Sequence, residues 1–249
     1  MMEWKNTADV VIIGGGIIGV STAYYLAQNG MKNIVLIEKG TICGGSTGRC
    51  GAGIRAQWGT EMNCRLGIAA LDIFEQLDQD LGMSVGLNQG GYLLVAYSEK
   101  ELDTLRKGME LQNSLGIKSR QITLREAREI CPGLAADDAV GFFFHGRDGH
   151  ADPFLTTFAY LEAAKRLGVT CHRHTECTGI LVDGGAVRGV ETDRGIIHAP
   201  IVINCAGAYA QFIARMAGIE IPNWAERHEI MITEPVAPGV CPCMLMSFS

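Results

Sequence analysis

The stretch from Asp9 to Glu38 constrains this chain more than any other. It opens on Val10-Val11-Ile12-Ile13, an apolar run without alternation, which suits a strand buried on both faces. The run turns at Gly14-Gly15-Gly16 and continues from Ile17 to Ala27, with Ile18, Tyr25 and Leu26 at helical spacing. A second apolar strand, Ile34-Val35-Leu36-Ile37, ends at Glu38. The result is Gly-x-Gly-x-x-Gly between a strand and a helix, with an acid at the tip of the next strand. That combination predicts a dinucleotide site.

The spacing has a mechanical reason. Gly14 permits the tight turn, Gly16 lets a pyrophosphate approach the backbone, and Gly19 lets the helix pack close to the strand. Ile17 and Ile18 open the helix, whose first N–H groups and partial positive charge suit phosphates. Glu38 can accept hydrogen bonds from ribose hydroxyls, and its charge would repel a 2′-phosphorylated nucleotide. A glycine-rich turn in some other α/β protein does not explain an acid at that position.

The net charge of −6, with no Lys/Arg-rich run, gives no electrostatic footprint for nucleic acid. The apolar N-terminus lacks a basic leader, carries Asp9 and is cut by glycines, so it does not read as a signal peptide. No apolar run reaches membrane-spanning length, and a cytoplasmic location is expected. Nine cysteines fit this if reduced. Most lie in predicted strands or helices, as small buried apolar residues do. Cys241-Pro242-Cys243 is the only close pair and there is no Cys-x-x-Cys, so no zinc or iron–sulfur site is expected from this chain alone.

After Glu38 and Lys39, small residues dominate through Gly53, as where backbone passes close to a flat ligand or a phosphate. Gly44-Gly45-Ser46-Thr47-Gly48 also matches the hydrolase elbow Gly-x-Ser-x-Gly. That elbow needs its serine at a strand end turning directly into a helix, whereas several loop residues intervene here. Thr60 to Leu81 reads as one long amphipathic helix with Leu66, Ala70, Ile73, Leu77 and Leu81 on one face. Helices are expected over Ser98–Leu115 and Thr123–Ile130, each opened by a capping box, and from Asp152-Pro153 to about Leu167. Strands are expected at Tyr92–Ala96, Val140–His145, Val169–Arg173, Cys177–Val182, Ala186–Thr192, Gly195–His198, Ile201–Asn204 and Glu229–Thr233. Tyr209–Met216 reads as a helix. The nucleotide-binding part would then span about 1–85 and 149–219, with a more antiparallel part at 86–148 and 220–249.

These residues carry a resemblance. Ala8 to Gly19, Glu38-Lys39, Gly45-Ser46-Thr47-Gly48-Arg49 and Cys205-Ala206-Gly207-Ala208 are similar to the FAD-dependent D-amino-acid oxidase superfamily. Within it, Ser-Thr-Gly-Arg followed by Gly53-Ile54-Arg55 most resembles sarcosine oxidase β-subunits, glycine oxidase and related amino-acid dehydrogenase subunits. The resemblance implies an α/β fold: a Rossmann-like FAD-binding domain with an interleaved α+β substrate domain, incomplete at the C-terminus. It implies that Gly14, Gly16 and Gly19 hold the FAD pyrophosphate, with Ile17 and Ile18 opening the helix there, and that Glu38, beside Lys39, holds the adenosine ribose. Ser46, Thr47, Arg49, Cys50 and Gly51 would line the segment from pyrophosphate to isoalloxazine. Cys177 would offer main-chain contacts to the adenine, and Ala206-Gly207 would pass near the ribityl chain. Arg55 sits where monomeric relatives hold the substrate carboxylate.

The sequence departs from the pattern in places. Many relatives have Asn at the position of Cys50. No histidine occupies the position that carries covalent FMN in heterotetrameric sarcosine oxidases, and His150 reads as a lone loop histidine. Relatives continue beyond the apolar run Cys243–Ser249, so a second flavin-binding segment is expected outside this chain. The activity implied is oxidation of a small amine or amino acid by hydride transfer to flavin, with oxygen or a partner subunit taking the electrons. Two alternatives stay open: an FAD-dependent dehydrogenase of a hydroxy acid or glycerol phosphate, and a non-catalytic FAD-binding subunit.

Overall fold

The computed structural model describes residues 4–247; Phe248 and Ser249 of the C-terminal apolar run lie outside the described residues. The chain forms β1 (Val10–Ile13), α1 (Ile17–Gln28), β2 (Ile34–Glu38), a 3-10 turn (Thr47–Arg49), β3 (Gly53–Ile54), α2 (Glu61–Phe74) and α3 (Leu77–Leu81). It continues with β4 (Tyr92–Ala96), α4 (Glu99–Ser114), β5 (Arg120–Ile122), α5 (Leu124–Ile130), β6 (Gly141–His145) and β7 (Gly149–His150). Then follow α6 (Pro153–Arg166), β8 (Thr170–Arg173), β9 (Cys177–Asp183), β10 (Ala186–Thr192), β11 (Gly195–His198), β12 (Ile201–Asn204), a second 3-10 turn (Gly207–Tyr209), α7 (Ala210–Met216) and β13 (Met244–Ser247).

These elements make two compact units. One holds the chain up to Cys50, Leu81–Met83 and Pro153–Ile230; the other holds Gly51–Asp80, Ser84–Asp152 and the chain from Met231 on. Residues 51–80 therefore fall in the second unit, although the sequence grouped them with the nucleotide-binding part. The reason is packing: Ala56, Cys64 and Leu71 share a buried cluster with Ile117, and Leu111 and Leu115 of the α4 region pack against it.

In the first unit, a parallel sheet of order β12-β1-β2-β8 carries the opening motif. Val10 lies between Ile34 and Ile201 in register, and the β1 side chains are all buried. Unalternating apolar sequence is what a two-sided parallel sheet requires. The antiparallel β9-β10-β11 meander has its tight turn at Gly184 and Gly185, both at positive φ.

The buried face of α1 is Gly19, Val20, Ala23, Tyr24 and Ala27, not the Ile18/Tyr25/Leu26 stripe that its spacing suggested; Ile18 is 64% exposed. Small residues win that face because the helix lies close against its surroundings. Tyr24 meets Tyr160 of α6 at 5.6 Å between ring centroids.

In the second unit, the sheet of order β13-β4-β6-β5 pairs β4 antiparallel with β6 and parallel with β13. The capping boxes hold: Ser98 with Glu101 opens α4, and Thr123 with Glu126 opens α5. Three expectations fail. The Thr60–Leu81 helix is broken at Glu75-Gln76 into α2 and α3. On α2 the buried residues are Cys64, Gly67 and Leu71, while Leu66 and Ile73 are exposed. Gly67 turns that face inward, because a Cβ there would sit 2.8 Å from the Arg55 carbonyl. Glu229–Thr233 forms no strand: Met231 and Ile232 are exposed, and among the described residues nothing pairs with them. An extended apolar segment becomes a strand only beside a hydrogen-bonding neighbour. That neighbour is instead given to Met244–Ser247, which lies beside β4.

Candidate functional site

The glycine turn is held by main-chain contacts that leave no space for side chains. Gly14 sits at φ +115° and its N–H donates to the Ile37 carbonyl at 2.9 Å, tying the turn to β2. A Cβ on Gly14 would lie 2.3 Å from the Cys205 carbonyl oxygen, and one on Gly19 would lie 1.9 Å from the Gly14 carbonyl oxygen. Both neighbours are backbone and cannot swing away. The motif glycines therefore bring three segments together: the β1 turn, the start of α1, and the loop after β12.

Gly16 is the N-cap of α1 and carries no side-chain cap of its own. The cap comes from elsewhere: Thr47 Oγ1 accepts from the Ile17 N–H at 3.1 Å. The serine–threonine pair of the small-residue loop thus contributes its threonine to the N-terminal end of the helix, while Ser46 is exposed on the loop. The loop is tied to the glycine turn, with the Cys43 N–H donating to the Gly15 carbonyl at 3.0 Å. Arg49 is exposed and its guanidinium donates to the carbonyls of Gly44 and, at 3.0 Å, Gly45.

Glu38 stands at the end of β2 as expected, and its carboxylate is already committed. Oε2 accepts from the Gly15 N–H and Oε1 from the Gly40 N–H, each at 2.7 Å. Gly15, a variable position of the motif, is therefore a working donor that sequence reasoning passed over. Each carboxylate oxygen offers a second lone-pair direction, so the group can hold the turn and still receive a hydroxyl. Lys39 is exposed, with Nζ 3.5 Å from the Tyr209 ring centroid.

On the other side of β1, the Cys205 N–H donates to the Ile13 carbonyl at 2.9 Å, and the Asn204 side chain accepts from the Ala206 N–H at 3.2 Å. Gly207 has φ +55°, and a Cβ there would meet nothing within 4 Å; the same open space lies at Gly45. The Cys177 thiol is buried with Val190 and Ile197, and burial raises its pKa, so the side chain is inert core. Cys50 is exposed at the end of the loop, and Gly51 begins the second unit.

Arg55 belongs to the second unit and is half-buried. Its guanidinium lies 4.0 Å from the Trp58 ring centroid and 5.3 Å from that of Tyr92, and Nη1 is 2.8 Å from the Met246 sulfur. Among the described residues no carboxylate pairs with it. The segment it sits on is pinned by Asp148, which is fully buried. Asp148 Oδ1 accepts from the Ala56 N–H at 2.9 Å and lies 2.7 Å from His145 Nδ1, and Oδ2 accepts from Gln57 Nε2 at 3.3 Å. Sequence reasoning missed Asp148; an aspartate-glycine pair reads as a turn, and nothing local marks it as buried.

A parallel sheet with its glycine turn beneath a helix N-terminus, and an acid at the next strand end, defines a dinucleotide-binding α/β unit of the oxidoreductase type. The chain belongs to the family described as FAD dependent oxidoreductase, which it matches over residues 9–246. It is 32% identical over 237 residues to human mitochondrial sarcosine dehydrogenase, covering 93% of this chain and 26% of that protein. It is 31% identical to the sarcosine oxidase β subunit of an Arthrobacter species, covering 98% of this chain and 62% of that one. Among solved structures, L-proline dehydrogenase from P. horikoshii matches with a TM-score of 0.88 and 35% identity, over 98% of this chain and 65% of that one. The chain thus spans between about a quarter and two thirds of the length of these relatives.

FAD is the family's cofactor, and the residues present fit it: an N-cap without a side chain, glycines that leave the backbone open, and an acid at the end of the next strand. Glu38→Ala is expected to weaken FAD retention about 10–100-fold, the value of one or two charge-assisted hydrogen bonds. The same change at Glu75, which pairs with Arg147 in the second unit, is expected to leave it unchanged. Flavin fluorescence titration of the two variants checks this, and equal losses would remove Glu38 from the site.

Proposed function

We propose that the protein oxidises the C–N bond of a small secondary amine or amino acid, of the sarcosine, glycine or proline class. The observation that carries the reading is the glycine–Glu38 cradle in a chain whose relatives are named for sarcosine and proline. Gly14, Gly16 and Gly19 would hold the diphosphate against the amides opening α1, with Thr47 steadying that helix end. Glu38 would hold the ribose, with Ala206-Gly207 and the Ser46–Gly51 loop along the rest of the cofactor. Bound there, FAD would accept the hydride from the substrate Cα–H, leaving an imine that water hydrolyses.

Arg55 would anchor the substrate carboxylate. What supports this is a half-buried guanidinium against the rings of Trp58 and Tyr92 and without an acidic partner among the described residues. A guanidinium without an acidic partner is free to form a charge-assisted pair with a carboxylate. The likeness to a β subunit supports a partner subunit as electron acceptor.

Anaerobic mixing of the FAD-loaded protein with sarcosine, glycine or proline tests the reading; the flavin's visible absorbance should bleach. Bleaching by hydroxy acids alone would replace the amine by an alcohol substrate. No bleaching by any of them would leave an FAD-binding subunit without this chemistry. Arg55→Ala should raise KM for the amino acid about 10–100-fold with a smaller effect on kcat. An unchanged KM would free Arg55 from the substrate.

A further inference from the structure

We propose that Cys131, Cys241 and Cys243 form a thiolate site for a soft, zinc-like cation, separate from the flavin cradle. The three sulfurs all lie within 4.8 Å of one another, and Cys131 Sγ is 3.5 Å from Cys241 Sγ. A tetrahedral ion with metal–sulfur bonds near 2.3 Å holds its sulfurs about 3.8 Å apart, so shifts of an ångström or less complete the set.

The backbone already prepares it. Cys131 is the C-cap of α5, a helix whose other end is locked by its Thr123–Glu126 capping box. Cys243 is buried immediately before β13, which is registered along β4. Between them the Gly133 N–H donates to the Val240 carbonyl at 2.8 Å. A Cβ on Gly133 would stand 2.8 Å from the Val240 oxygen and 2.6 Å from its side chain. A glycine thus sits where the loop carrying Cys241 meets the turn after α5.

Burial gives the site its polarity. Cys131 and Cys243 are buried, while Cys241 is exposed. Cys241 would be the ligand nearest solvent, and a fourth tetrahedral position would take water or an exogenous ligand. Each cysteine that ligates releases its proton to solvent.

The rival is a Cys131–Cys241 disulfide, formed with loss of two electrons and two protons to an external oxidant such as glutathione disulfide. It uses only two of the three sulfurs and leaves Cys243 aimed at the pair without a role. Thiolates without acids or imidazoles among them are the donor set that selects a soft ion over magnesium or calcium. Nothing in the residue spacing announces the site, which is why the sequence reading argued against zinc.

The test is an anaerobic titration of the metal-free, reduced protein with Co²⁺ as a spectroscopic stand-in for Zn²⁺. The expected result is one ion per chain, a sulfur-to-cobalt charge-transfer band, and displacement of cobalt by Zn²⁺. Cys241→Ser should weaken Co²⁺ binding at least about tenfold. Because Cys241 is exposed, that variant tests the site without disturbing the core; circular dichroism checks the fold. Cys131→Ser should remove the charge-transfer band, and Cys50→Ser should leave it intact. No band, or a band unchanged in Cys241→Ser and Cys131→Ser, overturns the proposal. A Cys131–Cys241 bridge found by non-reducing peptide mapping under a glutathione buffer, together with no metal uptake, overturns it in favour of the redox pair.

Discussion

Gly19→Ala is expected to abolish FAD retention. The added methyl would stand 1.9 Å from the Gly14 carbonyl oxygen, far inside contact distance. That oxygen belongs to a turn whose own N–H is bonded to β2, and whose other side is closed by the Cys205 carbonyl. The helix must move off β1, or the turn must open. Either change re-aims the amides that open α1, and with them the partial positive charge presented to the diphosphate. Gly59→Ala is the matched control, since a Cβ there meets nothing within 4 Å and the residue lies in the other unit. Flavin absorbance per chain after gel filtration should fall to background in the first and persist in the second. Stoichiometric flavin in a folded Gly19→Ala protein would show that this turn is not where the cofactor's phosphates sit.

The second large effect lies in the other unit. Asp148→Ala is expected to lower stability by about 3 kcal/mol, because a fully buried carboxylate leaves unpaired the groups that it served. The Ala56 N–H, His145 Nδ1 and Gln57 Nε2 all lie within 3.3 Å of its oxygens. Asp148→Asn keeps the shape but offers one acceptor oxygen where two are used, so a loss of about 1–2 kcal/mol is expected. Asp103→Ala is the comparison: its ion pair with Arg106 is exposed and 3.7 Å long, and should be worth no more than about 0.5 kcal/mol. Urea midpoints order the three variants, and hydrogen exchange at the Ala56 amide reports the loss locally. Equal midpoints for Asp148→Ala and Asp103→Ala would mean that the buried network is not holding the Arg55 segment.

Much of the strand–glycine turn–helix unit and its acid was legible in the sequence alone. The turn glycines, the strand on each side and Glu38 follow from local rules, since each residue's role is set by neighbours within one βαβ unit. The capping boxes at Ser98 and Thr123 were legible for the same reason. What misled was periodicity where small residues do the packing. On α1 and α2, Gly19 and Gly67 draw the helix onto another backbone, and the bulky residues Ile18 and Leu66 turn outward. A scale of hydrophobicity ranks those residues the wrong way round for such close contacts. The Glu229–Thr233 strand failed differently, because strand sequence without a partner strand is only strand propensity.

The sequence by itself determined the chemistry available near the N-terminus: bare amides, a loop of small and hydroxyl residues and one acid, at spacings that admit a dinucleotide. Tertiary structure alone decided which of those groups are already engaged. It spent Glu38 on Gly15 and Gly40, and lent Thr47 to a helix that begins thirty residues earlier. It also set Asp148 beneath Ala56, 92 residues away, and Cys131 beside Cys241, 110 residues away. The physical reason is range. Turn and cap preferences act over a few residues and are written in local order, whereas burial and hydrogen bonding between distant segments exist only once the loops between them have closed.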